Sequence, residues 1–376
     1  MSRTHWIFLL AVATLSVGAV NVFAGQFKRV TYYSAGQRPY RLVAAELTNS
    51  GNLDLAIADW LSGQIVILLG NGDGTFQPPR KFRAVNPVGI AAGDFNEDGN
   101  LDLAVVEANG TGDGSLAIFL GDGKGGFKLS NNYPMGVASS SVVLADFDGD
   151  GHLDAAVSDQ GIDSTPGDVI VFFGNGQGKL RRVARFKMPS QQPVGIAAGD
   201  LNGDHHPDLA VTLAATGSVA VFINDGTGKF LNPVTYNVGG GEAVDVKIAD
   251  LRHNGRQDLV VANRSLSAVG VLLNQGNGTF EPVKQYPTHC DVEAVVVADF
   301  NLDGHLDVAV AAQIDNSALL YGKGDGSFGP PVPIKDEIGT DGGFSLAVGD
   351  FNNDKTPDLA IPIEAYGKVA ILLNTQ

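Results

Sequence analysis

Twelve residues recur along this chain at nearly even spacing. In the clearest copies, residues 94–105 and 146–157, the pattern Asp-Phe-Asn/Asp-x-Asp-Gly-x-Leu-Asp leads into three apolar residues. Five well-formed and two degraded copies, 48 to 54 residues apart, begin at residues 46, 94, 146, 200, 250, 299 and 350. A repeat period of about 50 residues is typical of propeller blades or solenoid turns. The repeat therefore predicts an array of seven similar units along the whole chain.

Each repeat contains four short apolar segments separated by turns, as the second copy illustrates. Residues 87–93, 101–106 and 115–120 are apolar runs, and Phe127 opens a fourth. Residues 121–126 form a glycine-rich turn, in which glycine supplies the positive φ angles of a tight hairpin. Four strands per repeat, without a sustained helical period, predict a propeller blade.

The two ends of the chain predict how the ring closes. The last copy stops at residues 372–376, where its hairpin and fourth strand should follow. Residues 26–33 match a fourth strand but have no blade before them. Pairing of these two ends would close the ring and remove the exposed edges of an open sheet. The predicted fold is thus all-β, a single seven-bladed β-propeller of four-stranded blades over residues 25–376, whose N-terminal strand completes the last blade.

The first 24 residues predict a cleavable export signal. Arg3 precedes a mostly apolar segment at residues 6–20, and small residues precede a cleavage site after Ala24. The apolar segment is too short to span a bilayer, and no later stretch is long and apolar enough. We therefore expect a secreted, extracellular or periplasmic protein with no transmembrane segment.

Charge and cysteine content narrow the functional classes. The net charge of −16 argues against binding to nucleic acid or to anionic membranes, which attract basic patches. Cys290 is the only cysteine, so no intramolecular disulfide can form, and we expect it to be a packed core residue. We expect a monomer.

The repeated phrase also predicts a metal site. Counting its first residue as position 1, side-chain oxygens recur at positions 1, 3, 5 and 9, and position 7 offers its backbone carbonyl. Ca²⁺ takes six to eight oxygen ligands in irregular geometry, whereas Mg²⁺ needs a stricter octahedron. Positions 1, 3, 5 and 9 carry no His or Cys in any copy, which disfavours zinc and copper. We therefore predict structural Ca²⁺ in these acidic loops.

The copies differ in completeness. Three have every ligand and a glycine at position 6, where the chain must turn sharply. Two keep the ligands but carry His205 or Lys355 at position 6, which makes Ca²⁺ there a conditional prediction, since a left-handed non-glycine residue costs roughly 1–2 kcal/mol. The predicted ligands of the three complete loops are Asp94, Asn96, Asp98, Asn100 and Asp102; Asp146, Asp148, Asp150, His152 and Asp154; and Asp299, Asn301, Asp303, His305 and Asp307. Those of the two conditional loops are Asp200, Asn202, Asp204, His206 and Asp208, and Asp350, Asn352, Asp354, Thr356 and Asp358.

The two degraded copies are predicted to hold no tightly bound ion. The copy at Glu46 keeps one other carboxylate, Asp54, and the copy at Asp250 places Arg252 where a ligand should lie. The histidines of all the loops are expected to face solvent. One alternative stays open, namely that the loops are metal-free turns, because Asp and Asn favour turns in any case.

These motifs resemble the FG-GAP/VCBS repeat family. The likeness rests on the phrase Val-Gly-Ile-Ala-Ala-Gly-Asp-Phe-Asn-x-Asp-Gly-x-Leu-Asp, paired with Leu-Gly-Asn-Gly-Asp-Gly-Thr-Phe, and covers nearly all of residues 25–376. Such repeats build the seven-bladed propeller of integrin α-subunits, of many bacterial secreted proteins and of a fungal calcium-binding lectin. The resemblance implies adhesion or lectin-like binding on the face opposite the acidic loops.

The resemblance and the blade pattern suggest a function but no ligand. We expect a binding or adhesion module for an unknown protein or glycan, and not an enzyme, because the sequence has no Gly-x-Ser-x-Gly or His-Glu-x-x-His motif. A polysaccharide lyase or hydrolase using Glu107 and Asp159, or a purely structural scaffold, are the alternatives. Candidates on the opposite face are Trp60, Glu107, Asn109, Asp159, Asp163, Asp168, Arg264, His289, Asp291, Glu293, Asp341, Glu364 and Tyr366.

Overall fold

A computed structural model of the chain describes most of the predicted propeller. The described residues are 27–108, 114–136, 138–162, 167–188, 192–313, 317–334 and 343–375. Within them, 28 strands form seven four-stranded antiparallel sheets, and the remaining regular element is a 3₁₀ turn at Glu364–Tyr366. The predicted export signal, residues 1–24, lies outside this part of the chain.

Blades follow one another along the chain, each with its strands in sequence order. After β1 (Phe27–Ser34), blades 1 to 3 consist of β2 (Pro39–Ala45), β3 (Asp54–Asp59), β4 (Gln64–Leu68) and β5 (Arg80–Arg83); β6 (Pro87–Gly93), β7 (Asp102–Glu107), β8 (Ser115–Gly121) and β9 (Phe127–Pro134); and β10 (Ser139–Ala145), β11 (Asp154–Asp159), β12 (Gly167–Phe173) and β13 (Arg181–Met188). Blades 4 to 6 consist of β14 (Pro193–Gly199), β15 (Asp208–Leu213), β16 (Ser218–Phe222) and β17 (Val234–Asn237); β18 (Ala243–Ala249), β19 (Asp258–Asn263), β20 (Ala268–Leu272) and β21 (Lys284–Pro287); and β22 (Val292–Ala298), β23 (Asp307–Ala312), β24 (Ala318–Leu320) and β25 (Val332–Pro333). Blade 7 takes β26 (Ala347–Gly349), β27 (Asp358–Ile363) and β28 (Lys368–Asn374).

The N-terminal strand completes the last blade, as predicted. Strand β1 pairs antiparallel with β28, with Thr31 opposite Ile371, and the sheet order is β1-β28-β27-β26. Blade 7 thereby gains its fourth strand, and the prediction of a closed seven-bladed ring is confirmed.

The core of the molecule lies between the blades. The second strand of each blade is buried along its whole length, as in β7 and β11, because both faces of each sheet meet a neighbouring sheet. Seven apolar clusters each join side chains of two adjacent blades, including one that joins blade 7 to blade 1. Cys290 is 3% exposed within the cluster of blades 5 and 6, which confirms that it is a packed residue.

This topology gives the ring two different faces. In every blade the acidic loop joins the first and second strands, and in blades 1 to 6 the glycine hairpin joins the third and fourth, so both lie on one face, here called the acidic-loop face. The connections from second to third strand and from blade to blade lie on the other, here called the opposite face. The first strands of neighbouring blades pack side by side around the axis. No helix among the described residues is long and apolar enough to cross a membrane.

Candidate functional site

All seven acidic loops share one backbone conformation. Position 6 has a positive φ in every copy, including +69° at His205 and +72° at Lys355, where glycine is missing. Both residues therefore take the left-handed conformation that is costly for a non-glycine residue. Position 4 is also left-handed throughout, for example +57° at both Glu97 and Leu302. Sequence reasoning missed this second constraint. Glycine occupies position 4 only at Gly149 and Gly203, so the sequence carried only a weak signal of it.

The aspartate at position 9 joins the acidic loop to the end of the third strand, where the hairpin begins in blades 1 to 6. In blade 2, the side chain of Asp102 accepts a hydrogen bond from the Phe95 N–H at 2.9 Å and one from the Gly121 N–H at 2.8 Å. The first donor lies in the acidic loop and the second in the hairpin. All seven residues at this position are fully buried. This aspartate therefore holds the acidic-loop face together irrespective of any bound ion.

Burial makes these carboxyl groups hold their protons more tightly in the metal-free protein. It raises the pKa of Asp102, Asp154, Asp208 and Asp307 to about 6, although backbone N–H donors act in the opposite direction. Burial also raises the pKa of Asp358 to about 7. In most of these loops two other carboxylates, one at position 1 and one at position 3 or 5, raise the pKa further by a smaller repulsive contribution. A divalent cation among them would relieve both the burial of charge and the repulsion.

The loop of blade 3 brings its carboxylates closest together. Oxygens of Asp146, Asp148 and Asp154 lie within 4.8 Å of one another, the one such acidic cluster found among the described residues. Burial and the adjacent carboxylates raise the pKa of Asp148. Several hard oxygen ligands converging on one point are the donor set that Ca²⁺ prefers, so these residues fit the predicted ion.

The other four well-formed loops are arranged as hydrogen-bonded turns. In the loop that starts at Asp94, its carboxylate accepts from the Gly99 N–H at 2.8 Å, and the Asn96 side-chain amide donates to Asp98 at 2.9 Å. The loops at Asp200, Asp299 and Asp350 repeat the amide-to-carboxylate bond. Coordination of an ion would require each position-3 asparagine to turn its carbonyl oxygen toward the loop centre. The geometry accommodates both possibilities left open by the sequence, a cation or a metal-free turn.

An arginine fills the degraded loop of blade 5. The Arg252 guanidinium donates to both carboxylate oxygens of Asp258, at 2.7 and 3.2 Å, and to the Asn274 carbonyl at 2.7 Å. The same guanidinium thus spans the acidic loop and the hairpin. In blade 1, the Thr48 hydroxyl donates to Asp54 at 3.0 Å in place of a charged group.

The position-7 histidines make a contact that the sequence did not reveal. His152, His206 and His305, which were expected to face solvent, are half-exposed, and each also lies against a glycine of the hairpin in its own blade. A Cβ added at Gly176 or Gly324 would come within 2.6 Å of the imidazole. The His152 ring also hydrogen-bonds Glu97 of the neighbouring blade. His205 and His253, by contrast, are exposed as expected. The hairpin contact was missed because it is remote in sequence.

Several acidic residues on the opposite face accept hydrogen bonds from the backbone of the connecting loops. Glu107 accepts from the Val85 N–H at 2.8 Å, and Asp159 accepts from the Ala138 N–H at 3.0 Å. Asp59, at the equivalent strand end of blade 1, accepts from the Arg38 N–H at 2.8 Å. Sequence reasoning missed Asp59, although it shares its strand-end position with Asp159.

The remaining candidates on this face divide into ion-paired and unpaired residues. Arg264 bridges Glu242 and Glu293, at 2.9 and 2.5 Å, and so links blades 5 and 6. The remaining ion pairs are Arg185 with Asp168, and Arg38 with Glu364, where the Arg38 guanidinium also stacks over Trp60. His289 and Tyr366 are exposed, Asp291 is half-buried, and Asn109, Asp163 and Asp341 lie outside the described residues.

A closed ring of seven four-stranded blades, each with an acidic loop between its first two strands, defines a repeat β-propeller. A sequence model of the FG-GAP-like repeat matches residues 46–105, 94–157, 161–211, 250–310 and 299–361. These segments cover more than half of the chain, which therefore belongs to the FG-GAP-like repeat family. The resemblance noted from the motifs is confirmed.

Solved structures with a similar fold come from proteins of distant sequence. A lectin of Agrocybe aegerita, described as recognising non-reducing terminal N-acetylglucosamine, is 20% identical with a TM-score of 0.56. The match covers 87% of this chain and 86% of the lectin chain. BBS1N, solved in complex with ARL6DN, is 13% identical with a TM-score of 0.63, over 93% of this chain and 97% of that one. No curated protein sequence matches this chain significantly. At these identities the likeness concerns the fold alone.

Proposed function

We propose that this protein is an exported, non-enzymatic binding propeller whose opposite face takes a glycan or protein partner and whose acidic loops are braced by Ca²⁺. The observation that supports it most is the contrast between the faces. The seven acidic loops share one backbone conformation, whereas the opposite-face connections differ from blade to blade in length and in their polar residues. A surface that repeats is suited to bracing, and a surface that varies is suited to recognition.

Calcium is proposed first for the loop of blade 3. Asp146, Asp148 and Asp154 supply converging carboxylates, and Asp150 with the His152 carbonyl would complete the set. The bound ion would supply positive charge to a partly buried group of carboxylates. Calcium is proposed next for the loops at Asp94 and Asp299, which carry a complete set of ligands. The loops at Asp200 and Asp350 also keep the ligands but have a strained residue at position 6.

The bracing role is a consequence of where the ions would lie. Each loop precedes a second strand that is buried on both faces, and its position-9 aspartate is bonded to the end of the third strand of the same blade. An ion there would fix the first, second and third strands of a blade relative to one another. This bracing role, repeated in several blades, does not require any ion to contact the glycan or protein partner.

The binding role rests on the family and on the fold. Propellers of the same fold include a lectin that recognises a terminal sugar and a propeller solved with a protein partner. Exposed groups such as Tyr366 and the half-buried Trp60 lie on the opposite face and could contact either kind of partner. Glu107 and Asp159, the carboxylate pair considered for catalysis, already accept hydrogen bonds from loop backbones, which favours a structural role for both.

A glycan-array screen with the Ca²⁺-loaded protein tests the binding role. We expect selective binding of a small group of glycans, which an opposite-face substitution such as Tyr366→Ala weakens and an acidic-loop-face substitution such as Lys128→Ala does not. Release of reducing or unsaturated sugars from bound glycans would contradict the non-enzymatic role. Absence of binding, both on the array and to proteins of the host's extracellular fraction, would leave a scaffold and contradict the proposal.

A further inference from the structure

A cavity of about 350 Å³ lies on the axis of the ring. Its walls are residues of the first strands of blades 1 to 6 and of the segment before β26. This volume falls at the lower end of the roughly 300–1,000 Å³ of small-molecule pockets, which suits a ligand no larger than a monosaccharide.

Four polar residues of this cavity form one layer. Arg41, Ser141, Asp245 and Ser345 each precede position 1 of their acidic loop by five residues, so they occupy equivalent places on four first strands. The first strands run from the opposite face toward the acidic loops, which places this layer at the opposite-face end. Residues deeper in the cavity, such as Ala198, are mainly apolar. The cavity therefore has a polar entrance, and Lys247 is the charged lining residue at its deeper, otherwise apolar level.

Two positive charges line the cavity from distant blades. Arg41 belongs to blade 1 and Lys247 to blade 5, three blades apart in a ring of seven, so they lie across the axis from each other. Lys247 donates to both oxygens of Asp245, at 2.9 and 2.8 Å, and Asp245 also accepts from the Val295 N–H at 3.1 Å. The charge of Asp245 is therefore neutralised within the wall of blade 5.

Arg41 lacks an equivalent partner. Its Nε atom is buried and has no hydrogen-bond partner among the described residues. The carboxylate of Glu293 is close enough to interact electrostatically with Arg41, but it already accepts a hydrogen bond from Arg264. Arg41 lines the cavity, and a ligand carboxylate there would supply its side chain with the acceptor that Glu293 does not provide.

We propose that this cavity binds a uronic acid, that is, a sugar ring bearing a carboxylate. The Arg41 guanidinium takes the carboxylate, since arginine recognises planar carboxylates through paired hydrogen bonds. Ser141 and Ser345 contact the hydroxyl groups, whereas Lys247 stays paired with Asp245 and adds no net charge. This inference specifies a ligand class for the proposed binding role and rests on that role only in assuming that the opposite face admits ligands.

Calorimetric titration of the Ca²⁺-loaded protein with D-glucuronate, D-glucose and acetate tests the assignment. We expect D-glucuronate to bind at least about ten-fold more tightly than either comparison compound, because each lacks one of the two recognised features. Arg41→Met should weaken D-glucuronate binding about ten-fold or more. Arg256→Met, which removes the same charge on the acidic-loop face, should leave it unchanged.

The outcomes separate this inference from the broader proposal. Equal binding of D-glucuronate and D-glucose, or no binding of either, would overturn it, even if the array found other glycan ligands. A lower melting temperature of Arg41→Met with unchanged D-glucuronate affinity would make Arg41 a structural partner of Glu293 and would also overturn it. Tight D-glucuronate binding alongside a negative array would support the cavity and contradict only a role in binding larger glycans.

Discussion

The acidic loops of blades 3 and 5 have the same backbone but differ in how their carboxylates are neutralised. In blade 3 the oxygens of Asp146, Asp148 and Asp154 converge, with no cationic side chain at position 3. In blade 5 the guanidinium of Arg252 lies against Asp258 and reaches the hairpin carbonyl of Asn274. The comparison indicates that a side chain can provide in blade 5 the positive charge that we propose Ca²⁺ provides in blade 3.

Removal of divalent cations should give the largest difference between the two loops, because it should destabilise the loop of blade 3 and not that of blade 5. Each occupied site adds about 2.7 kcal/mol to the free energy of unfolding when the ion is at 100 times its dissociation constant. Chelation by EDTA should therefore lower the melting temperature by several degrees, and Ca²⁺ should restore it. Hydrogen exchange of the loop amides should accelerate in blade 3 and stay unchanged in blade 5. An identical melting curve with EDTA and with Ca²⁺ would refute structural calcium, and Mg²⁺ serves as the control ion.

Substitutions at position 3 should change whether the stability of a loop depends on Ca²⁺. Arg252→Ala leaves Asp258 buried without its partner, and breaking a buried ion pair typically costs roughly 3–5 kcal/mol. Because Asp258 is completely buried, we expect a loss of this order that Ca²⁺ does not reverse. Arg252→Asp restores a ligand, so its loss of stability should be recovered by Ca²⁺. Thermal unfolding of both variants with EDTA and with Ca²⁺ measures the difference.

The reverse change provides the matched control. Asp148→Arg places a guanidinium in blade 3 and should make that loop less dependent on Ca²⁺. If Arg252→Ala and Arg252→Asp respond alike to Ca²⁺, the equivalence of guanidinium and metal fails, whatever the wild-type protein binds.

The stabilisation by Ca²⁺ should weaken as the pH falls. In the metal-free protein the pKa values of Asp102, Asp154, Asp208 and Asp307 lie near 6, and that of Asp358 near 7, above the ordinary value of 3.8. A raised pKa in the folded state stabilises the metal-free fold at low pH, and this contribution is lost as the pH rises through about 6 to 7. Protons and Ca²⁺ therefore compete for the same oxygens. The difference between melting temperatures in Ca²⁺ and in EDTA should shrink between pH 7.5 and pH 5, and a constant difference would contradict proton competition.

The smallest effect concerns the strained residues at position 6. His205 and Lys355 adopt φ angles of +69° and +72°. Replacing either with glycine should raise the free energy of unfolding by roughly 1 kcal/mol, because glycine adopts this conformation without steric cost. Chemical denaturation measures the change. Lys128→Gly, within the regular strand β9, should instead destabilise the protein, and stabilisation by all three changes would exclude backbone strain as the cause.

Much of the fold was predictable because the repeat carries it. The period, the turn glycines and the incomplete last copy were sufficient to predict seven blades and the pairing of β1 with β28. The contacts between loops were not predictable, because they join residues distant in sequence. The position-9 aspartates were predicted as ligands, yet their bonds to the hairpin, such as Asp102 with Gly121, appear only in the fold. The packing of His152 against Gly176 was missed for the same reason.

The central claim is that Ca²⁺ neutralises the well-formed acidic loops of this propeller, as Arg252 neutralises the loop of blade 5. The amount of Ca²⁺ bound per chain, measured by native mass spectrometry, tests it directly. The account predicts three to five ions in the wild-type protein, from its three complete and two strained loops. It predicts one more in the Arg252→Asp variant. A wild-type protein that binds no Ca²⁺, or a variant that gains none, would contradict it.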